Sequence, residues 1–373
     1  MIGPTRLQTY IFRQCLMGLA LVMAIFVITI LLVDVVEQLR TVGGDVDLPP
    51  TVAVQLSLMK LPGLIEQTLP FGILVAAMMA YSRLNVRSEL SVIRASGVSA
   101  WQFLTPLIVM CVLLGFFSMM VLNPLGARLS DSFESLRNQL LVSGGVRVDS
   151  SKTDVWLRQG DGDTQIVIHA DNVDETGQIF EGVKMLEEGR VYINGAPTQR
   201  YEFVRRIDAE RARIVGGFWQ IEDLVENEPG EPPQRMESLA IPTDLDPDTL
   251  LDRFTSPNTI GFWTLPRFID QTRQAGLDSS RFAVRLFGLT AIPVFYTAMG
   301  LIGALVCLRL SRLGGTSRLV AVGALSATGV FFIMQFSSSL GASGALPPII
   351  AAWSPALFAL FASLTVLAYR EDG

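Results

Sequence analysis

The sequence predicts an α-helical membrane protein with six transmembrane helices and an all-β domain inserted between the third and the fourth. Three observations carry that fold class. Half of the 373 residues are apolar and only 17% are charged, against roughly 25% in soluble proteins. Six windows of membrane length are almost free of charge. Between the third and the fourth, the pattern changes to short alternating segments broken by Gly, Asp and Asn, as expected of half-buried antiparallel strands.

A membrane helix needs about 20 apolar residues. The first such run is 15–33. Arg6 and Arg13 precede it as they would a signal peptide, but its length and the lack of a small-x-small cleavage pattern in "DVVEQLR" predict a retained helix. The second run, 61–82, contains Glu66, Pro62 and Pro70, and the third is 101–122. The remaining three are 286–308, 319–340 and 349–369, the last two separated by "GASGALPP", whose Gly and Pro residues predict a tight break.

Loop charges give an orientation. Arg6, Arg13, Arg83, Arg87, Arg94, Arg309, Arg312, Arg318 and Arg370 fall on one side, which the positive-inside rule makes cytoplasmic. The opposite loop, after the first run, sets Asp34, Glu37, Asp45 and Asp47 against Arg40. Both termini are therefore expected inside and residues 126–280 outside. The arginines of that long stretch do not oppose this, since long domains translocate largely regardless of charge.

The external stretch reads "TDVWLRQ", "TQIVIHA", "EGVKML", "GRVYING" and "ARIVGGFWQIEDLVE" from Val146 to Ile241. This is a small all-β domain, a sandwich or jelly roll. Its edge strands either pair with another chain or are simply capped. Next, Phe262, Trp263, Leu265, Pro266, Phe268 and Ile269 form an amphipathic segment expected at the outer interface, and Asp278 is a candidate N-cap for the fourth span. The expected domains are 1–125, 126–258 and 259–373.

Composition narrows the chemistry. A net charge of −6 gives no basic footprint for nucleic acid. The three lysines, Lys60, Lys152 and Lys184, stand in no G-x-x-x-x-G-K-[ST] loop, so the chain is not an ATPase of that type. Cys15, Cys111 and Cys307 each sit in an apolar run as small buried hydrophobes, so no disulfide framework is expected. The single histidine, His169, reads as a half-exposed strand residue and cannot make a zinc site alone. No H-E-x-x-H occurs, and no cofactor is expected. Glu66 is a functional candidate because it lies in a span; it either lines a wet cavity or is an interfacial or paired residue.

The loop at 83–97, "RSELSVIRASG" from Arg87 onward, is charged and helix-prone between two apolar runs. Ser88 is a candidate N-cap, Glu89 lies in the first turn, Leu90, Val92 and Ile93 offer an apolar face, and Gly97 stops the helix. Such a helix either lies on the membrane surface with its arginines on lipid phosphates or docks a soluble partner. Glu89 favours docking, because anionic headgroups select against it.

This stretch resembles the lipopolysaccharide-export permease family of the LptF/LptG type, following "LPGLIEQTLPFGILVAAMMAYSRL" as it does. "DVVEQLR", "LDPDTL", "AGLDSSRF" and "LPPIIAAWSPALF" match in the same order, the last two closer to the G-type. The resemblance covers nearly the whole chain. It implies an F and G heterodimer on two copies of a cytoplasmic ATPase, LptB. Such a complex extracts lipopolysaccharide from the outer leaflet of the inner membrane. A periplasmic jelly roll then passes the lipid onward, usually to LptC. It also implies that the 83–97 loop is a coupling helix whose acid, Glu89, contacts the ATPase, with Arg83, Arg87 and Arg94 around it.

A substrate with acyl chains and phosphates needs an apolar cavity between the first and fifth spans of the two subunits, and cations near the outer face. Phe71, Phe331 and Phe332, with Glu66, are candidate liners; each phenylalanine equally fits a lipid-facing or helix-packing role. Arg40 is the leading phosphate candidate, followed by Arg128, Arg137, Arg281 and Arg285, all of which also fit ordinary snorkelling. Asp34 departs from the lysine that relatives often carry and is expected to repel a phosphate, so that Arg40 or the partner subunit supplies the cation, or the headgroup is less anionic. Two other classes remain open on the residues alone: a membrane-anchored structural or sensory protein with a ligand-binding external β-domain, and an ion-coupled transporter, for which Glu66 is thin support.

Overall fold

The computed structural model describes residues 4–41, 49–143, 153–160, 164–174, 179–193, 196–243, 245, 257–274, 278–310 and 316–371. Asp45, Asp47, Val146, Lys152, Arg312 and most of "LDPDTL" lie outside them. The chain forms two compact units. One comprises Met1–Phe133, Pro257–Asp270 and Ser279–Gly373; the other comprises Glu134–Ser256 and Gln271–Asp278.

The helices are α1 (Pro4–Thr41), α2 (Pro50–Val86), α3 (Glu89–Ala95), α4 (Ala100–Phe117), α5 (Asn123–Ser143), α6 (Leu265–Gln274), α7 (Ser280–Leu310), α8 (Thr316–Ala342) and α9 (Pro348–Glu371). A π-helical turn, Ser118–Leu122, joins α4 to α5. Among the described residues, six stretches are long and apolar enough to cross a membrane: Arg6–Thr41, Pro50–Val86, Ala100–Arg137, Ser280–Leu308, Ala321–Ala342 and Pro348–Tyr369. They contain five of the six expected windows and overrun several of them; the fifth stretch starts two residues after the expected 319. Hydropathy registers fit to lipid, whereas a helix continues wherever its backbone bonds do. Asp34, Glu37 and Arg40 therefore belong to α1 rather than to a loop. Residues 126–143, expected at the start of the external domain, are helical as well.

The first span buries Ile11, Cys15, Leu19 and Val22, a stripe at helical spacing. Leu21, Ile25, Ile28 and Leu32 stay exposed on its other sides. A helix apolar all round suits a hydrocarbon surrounding. Cys111 and Cys307 are buried free thiols like Cys15. The central helix is α7, which packs against α2, α4, α8 and α9. Small residues allow this: a Cβ on Gly303 would stand 2.5 Å from the Leu74 carbonyl of α2, and one on Gly115 would collide with Pro293. Without a hydrophobic drive between helices in lipid, such close approach is what holds spans together.

At α6 the apolar face is Leu265, Phe268 and Ile269, all buried. Trp263 is exposed and donates its indole N–H to the Met120 carbonyl at 3.2 Å. The carbonyl of Ser279 accepts the Ala283 N–H at 2.9 Å, so Ser279, one residue past the expected Asp278, holds the N-cap position of α7.

The all-β unit is one six-stranded antiparallel sheet in sequential order: β1 (Thr153–Gly160), β2 (Thr164–Val173), β3 (Ile179–Ile193), β4 (Ala196–Val215), β5 (Phe218–Asn227) and β6 (Gln234–Pro242). The described strands follow one another as a meander, without the crossovers of a Greek key. The sheet turns a corner. Alternation of inward and outward residues skips once in each of four adjacent strands, leaving the pairs Asp171–Asn172, Glu181–Gly182, Glu210–Arg211 and Glu222–Asp223 outside the core. The pairs lie in register with one another across the ladders. Gly182 and Asp223 take positive φ there, 64° and 50°. A Cβ on Gly182 would also strike the Asp171 carboxylate.

Either side of this corner, the strands enclose one core that includes Ile168, Phe180, Met185, Ile214, Trp219 and Leu224. The Phe180 and Trp219 rings meet edge to face at 4.8 Å. Gln159 near the end of β1 clasps the far side, accepting from Trp219 Nε1 at 3.1 Å and from the Thr243 hydroxyl at 2.5 Å, and donating to the Pro242 carbonyl at 3.3 Å. His169 in β2 is partly buried, its ring 4.5 Å from that of Trp156.

Candidate functional site

The helical unit holds an apolar cavity of about 710 Å³, within the usual range for small-molecule sites. Four helices wall it. Ile25, Phe26, Thr29 and Ile30 come from α1, and Phe71, Leu74 and Met78 from α2. Cys307 of α7 and Ala324, Ala327 and Thr328 of α8 complete it. The α8 contributions are short side chains, which leaves room that larger residues would fill.

Of the expected liners, Phe71 is in the wall; Phe331 is not among the lining residues, though its ring lies 5.5 Å from that of Phe71. Phe332 is not in the lining and is 68% exposed. Glu66 is not in the lining either; it is buried in a polar cluster with α7 and the π-turn.

In that cluster Arg285 Nη2 stands 2.9 Å from Glu66 Oε1, and Asn123 Nδ2 donates to Glu66 Oε2 at 3.0 Å. The Tyr296 hydroxyl donates to the Glu66 carbonyl at 3.5 Å and lies 3.1 Å from Ser118 Oγ. Asn123 Oδ1 accepts the Phe262 backbone N–H at 3.0 Å. In an α-helix, residues five apart point to different faces. The π-turn, closed by the Asn123 N–H on the Ser118 carbonyl, lets Ser118 and Asn123 serve the same cluster. Of the two readings left open for Glu66, the paired one describes its surroundings. Arg285 is correspondingly half of an ion pair.

Arg40 is exposed in the last turn of α1, and Arg128 and Arg137 are exposed on α5. Arg281 lies over the Phe282 ring at 4.6 Å. A cation that the sequence reading passed over stands close to Asp34 instead: Lys60 Nζ is 2.6 Å from Asp34 Oδ1 and 5.4 Å from the centre of the Phe133 ring. The Gln38 amide donates to Asp34 Oδ2 at 3.5 Å. The charge of Asp34, expected to repel a phosphate, is thus balanced by Lys60 within the same chain.

At the arginine-rich end of the spans, α3 occupies the predicted position. Ser88 stands at the N-cap with φ of 59° and makes no side-chain cap bond, and Gly97 ends the segment at φ of 83°. Leu90 and Ile93 are buried, but Val92, expected on the same face, is 68% exposed; two residues from Leu90, it is turned well away on a helix. Arg83, Arg87 and Arg94 are exposed. The Arg94 guanidinium lies 5.8 Å from the centre of the Phe103 ring of α4. Glu89 Oε1 is 3.8 Å from Arg87 Nη1, and Glu89 Oε2 accepts from the Tyr10 hydroxyl at 3.0 Å. The capping box of Ser99 and Gln102 then starts α4.

The model of the lipopolysaccharide export system permease LptF/LptG family matches residues 9–369. The chain belongs to that family. As an LptF/LptG permease it is similar over its length to curated relatives. The lipopolysaccharide export system permease protein LptG of Escherichia coli (strain K12) is 23% identical over 356 residues, 90% of each chain. The LptG protein of Haemophilus influenzae is 24% identical over 355 residues, 91% of this chain and 92% of the relative. This LptF/LptG permease thus combines apolar helices of membrane length with an inserted antiparallel sheet.

Proposed function

We propose that this chain is the G-type permease subunit of an ATP-driven lipopolysaccharide exporter. It works beside an F-type six-span partner in the inner membrane. Both termini and α3 face the cytoplasm, as the arginine distribution supports, and the β-domain faces the periplasm. The acyl chains enter the cavity between α1, α2 and α8. A separate LptB-type ATPase dimer hydrolyses ATP and acts through α3 and Glu89. The β-domain passes the lipid toward an LptC-type partner.

The observation that carries this reading is the cavity itself: an almost wholly apolar recess between membrane-spanning helices. An apolar wall is close in free energy to the bilayer, so an acyl chain enters it at little cost. The cost falls at the exit, at about 0.8 kcal/mol for each CH₂ that meets water. Export therefore needs an energy source outside this chain and an apolar receiver beyond the membrane.

A photo-crosslinking residue at Ala327 tests the assignment in membranes holding the assembled complex. The expected result is a lipopolysaccharide adduct at Ala327 that declines when ATP is supplied, with little adduct at Phe332. Adducts at Phe332 and none at Ala327 would refute the cavity.

A further inference from the structure

The carboxylate of Glu89 is held by another span. The Tyr10 hydroxyl of α1 donates to its Oε2 at 3.0 Å, and the Gln14 amide, one turn along α1, donates to the Tyr10 oxygen at 3.4 Å. A hydrogen bond to an ionised acceptor is stronger than a neutral one. The same α1 continues without interruption from Pro4 to Thr41 and supplies Ile25, Phe26, Thr29 and Ile30 to the cavity wall. At about 1.5 Å of rise per residue, Tyr10 lies roughly 22–30 Å along the axis from those residues. A continuous helix carries displacement over that distance.

The helix α3 is only seven residues long. Its described side-chain holds are few: Leu90 and Ile93 buried, Arg94 over the Phe103 ring of α4, and Glu89 on Tyr10. The Tyr10 bond reaches α1, one of the four helices that wall the cavity. A carboxylate has about four acceptor positions, so Glu89 can keep Tyr10 while accepting a donor from a docked partner.

We propose that Tyr10 is a positioning residue that ties α3 to α1, so that movement of α3 on its ATPase moves the wall of the lipid cavity. This rests on the reading of α3 as the ATPase contact. The hydroxyl fixes how α1 follows α3; it does not itself bind the ATPase.

Tyr10→Phe removes the donor and keeps the ring at a position 37% exposed. The full complex, with its F-type partner and ATPase, is placed in proteoliposomes containing lipopolysaccharide. Three quantities are read: ATPase retained on purification, ATP hydrolysed, and lipopolysaccharide released to an acceptor domain. Retention and hydrolysis are expected to hold while lipid released per ATP falls about fivefold, the low end of coupling between sites. Tyr10→Lys, which again offers Glu89 a donor, should recover most of the loss. An unchanged ratio in Tyr10→Phe overturns the proposal. So does an equal loss of ATPase retention, which would make Tyr10 part of the docking surface. Failure of the underlying reading shows separately: if Glu89→Lys keeps both the ATPase and transport, α3 is no coupling helix and the linkage falls with it.

Discussion

Lys60 Nζ lies 2.6 Å from Asp34 Oδ1 and joins α2 to α1. The two side chains are 32% and 11% exposed, between the exposed and the buried case. Lys60→Met should therefore lower stability by about 1–2 kcal/mol, above the ~0–1 of surface pairs and below the ~3–5 of a broken buried pair. The exchanged double variant Asp34→Lys with Lys60→Asp should recover most of it. Thermal unfolding of the detergent-solubilised complex reads both. A double variant no better than the single one would show that the pair does not act as a pair.

Glu66 and Arg285 call for a different pattern. Glu66→Ala leaves the Arg285 charge and the Asn123 amide facing an apolar side chain. The expected loss is about 2–3 kcal/mol, less than for a fully buried pair because Arg285 is 30% exposed. Glu66→Gln keeps an acceptor for both donors, and its loss should be smaller. The order of the two midpoints in a thermal scan checks the assignment; equal losses would mean that charge, not hydrogen bonding, dominates.

The six spans were legible because lipid imposes a length and a composition that few other environments demand. The partners across them were not. Tyr10 and Glu89 are 79 residues apart, Glu66 and Arg285 are 219, and even Asp34 and Lys60 are 26. Each pair depends on how two helices are rotated against one another, which apolar runs do not encode. That is why Arg285 read as a phosphate candidate and Lys60 was passed over. In the sheet, by contrast, the corner was written in the chain as paired outward residues that interrupt the alternation, for example Glu222 and Asp223 between Ile221 and Leu224. Segments read one at a time conceal that these skips line up. In α3, Val92 was grouped with Leu90 and Ile93 by apolarity, when spacing alone separates it from them.

The β-domain offers a test of electrostatics outside the membrane. Arg205 of β4 bonds Glu187 of β3 and Glu226 of β5, each at 2.6 Å. Burial by itself lowers the pKa of Arg205, but the two hydrogen bonds and the two negative charges outweigh it and raise the net value above arginine's ordinary one. A folded value above the unfolded one gives stability that is fully present below the unfolded pKa and lost only as pH climbs past it. The Arg205 contribution should therefore be flat across the range in which membranes and complexes are handled. Arg205→Met removes it and sets two carboxylates against each other, with an expected loss of about 2–4 kcal/mol at neutral pH. Denaturant unfolding of the full chain with Trp101, Trp156, Trp263 and Trp353 replaced by Phe, followed by Trp219 fluorescence, measures it. If Arg205→Met left the transition unmoved, the triad would be neutral to stability, its ion-pair gain cancelled by desolvation.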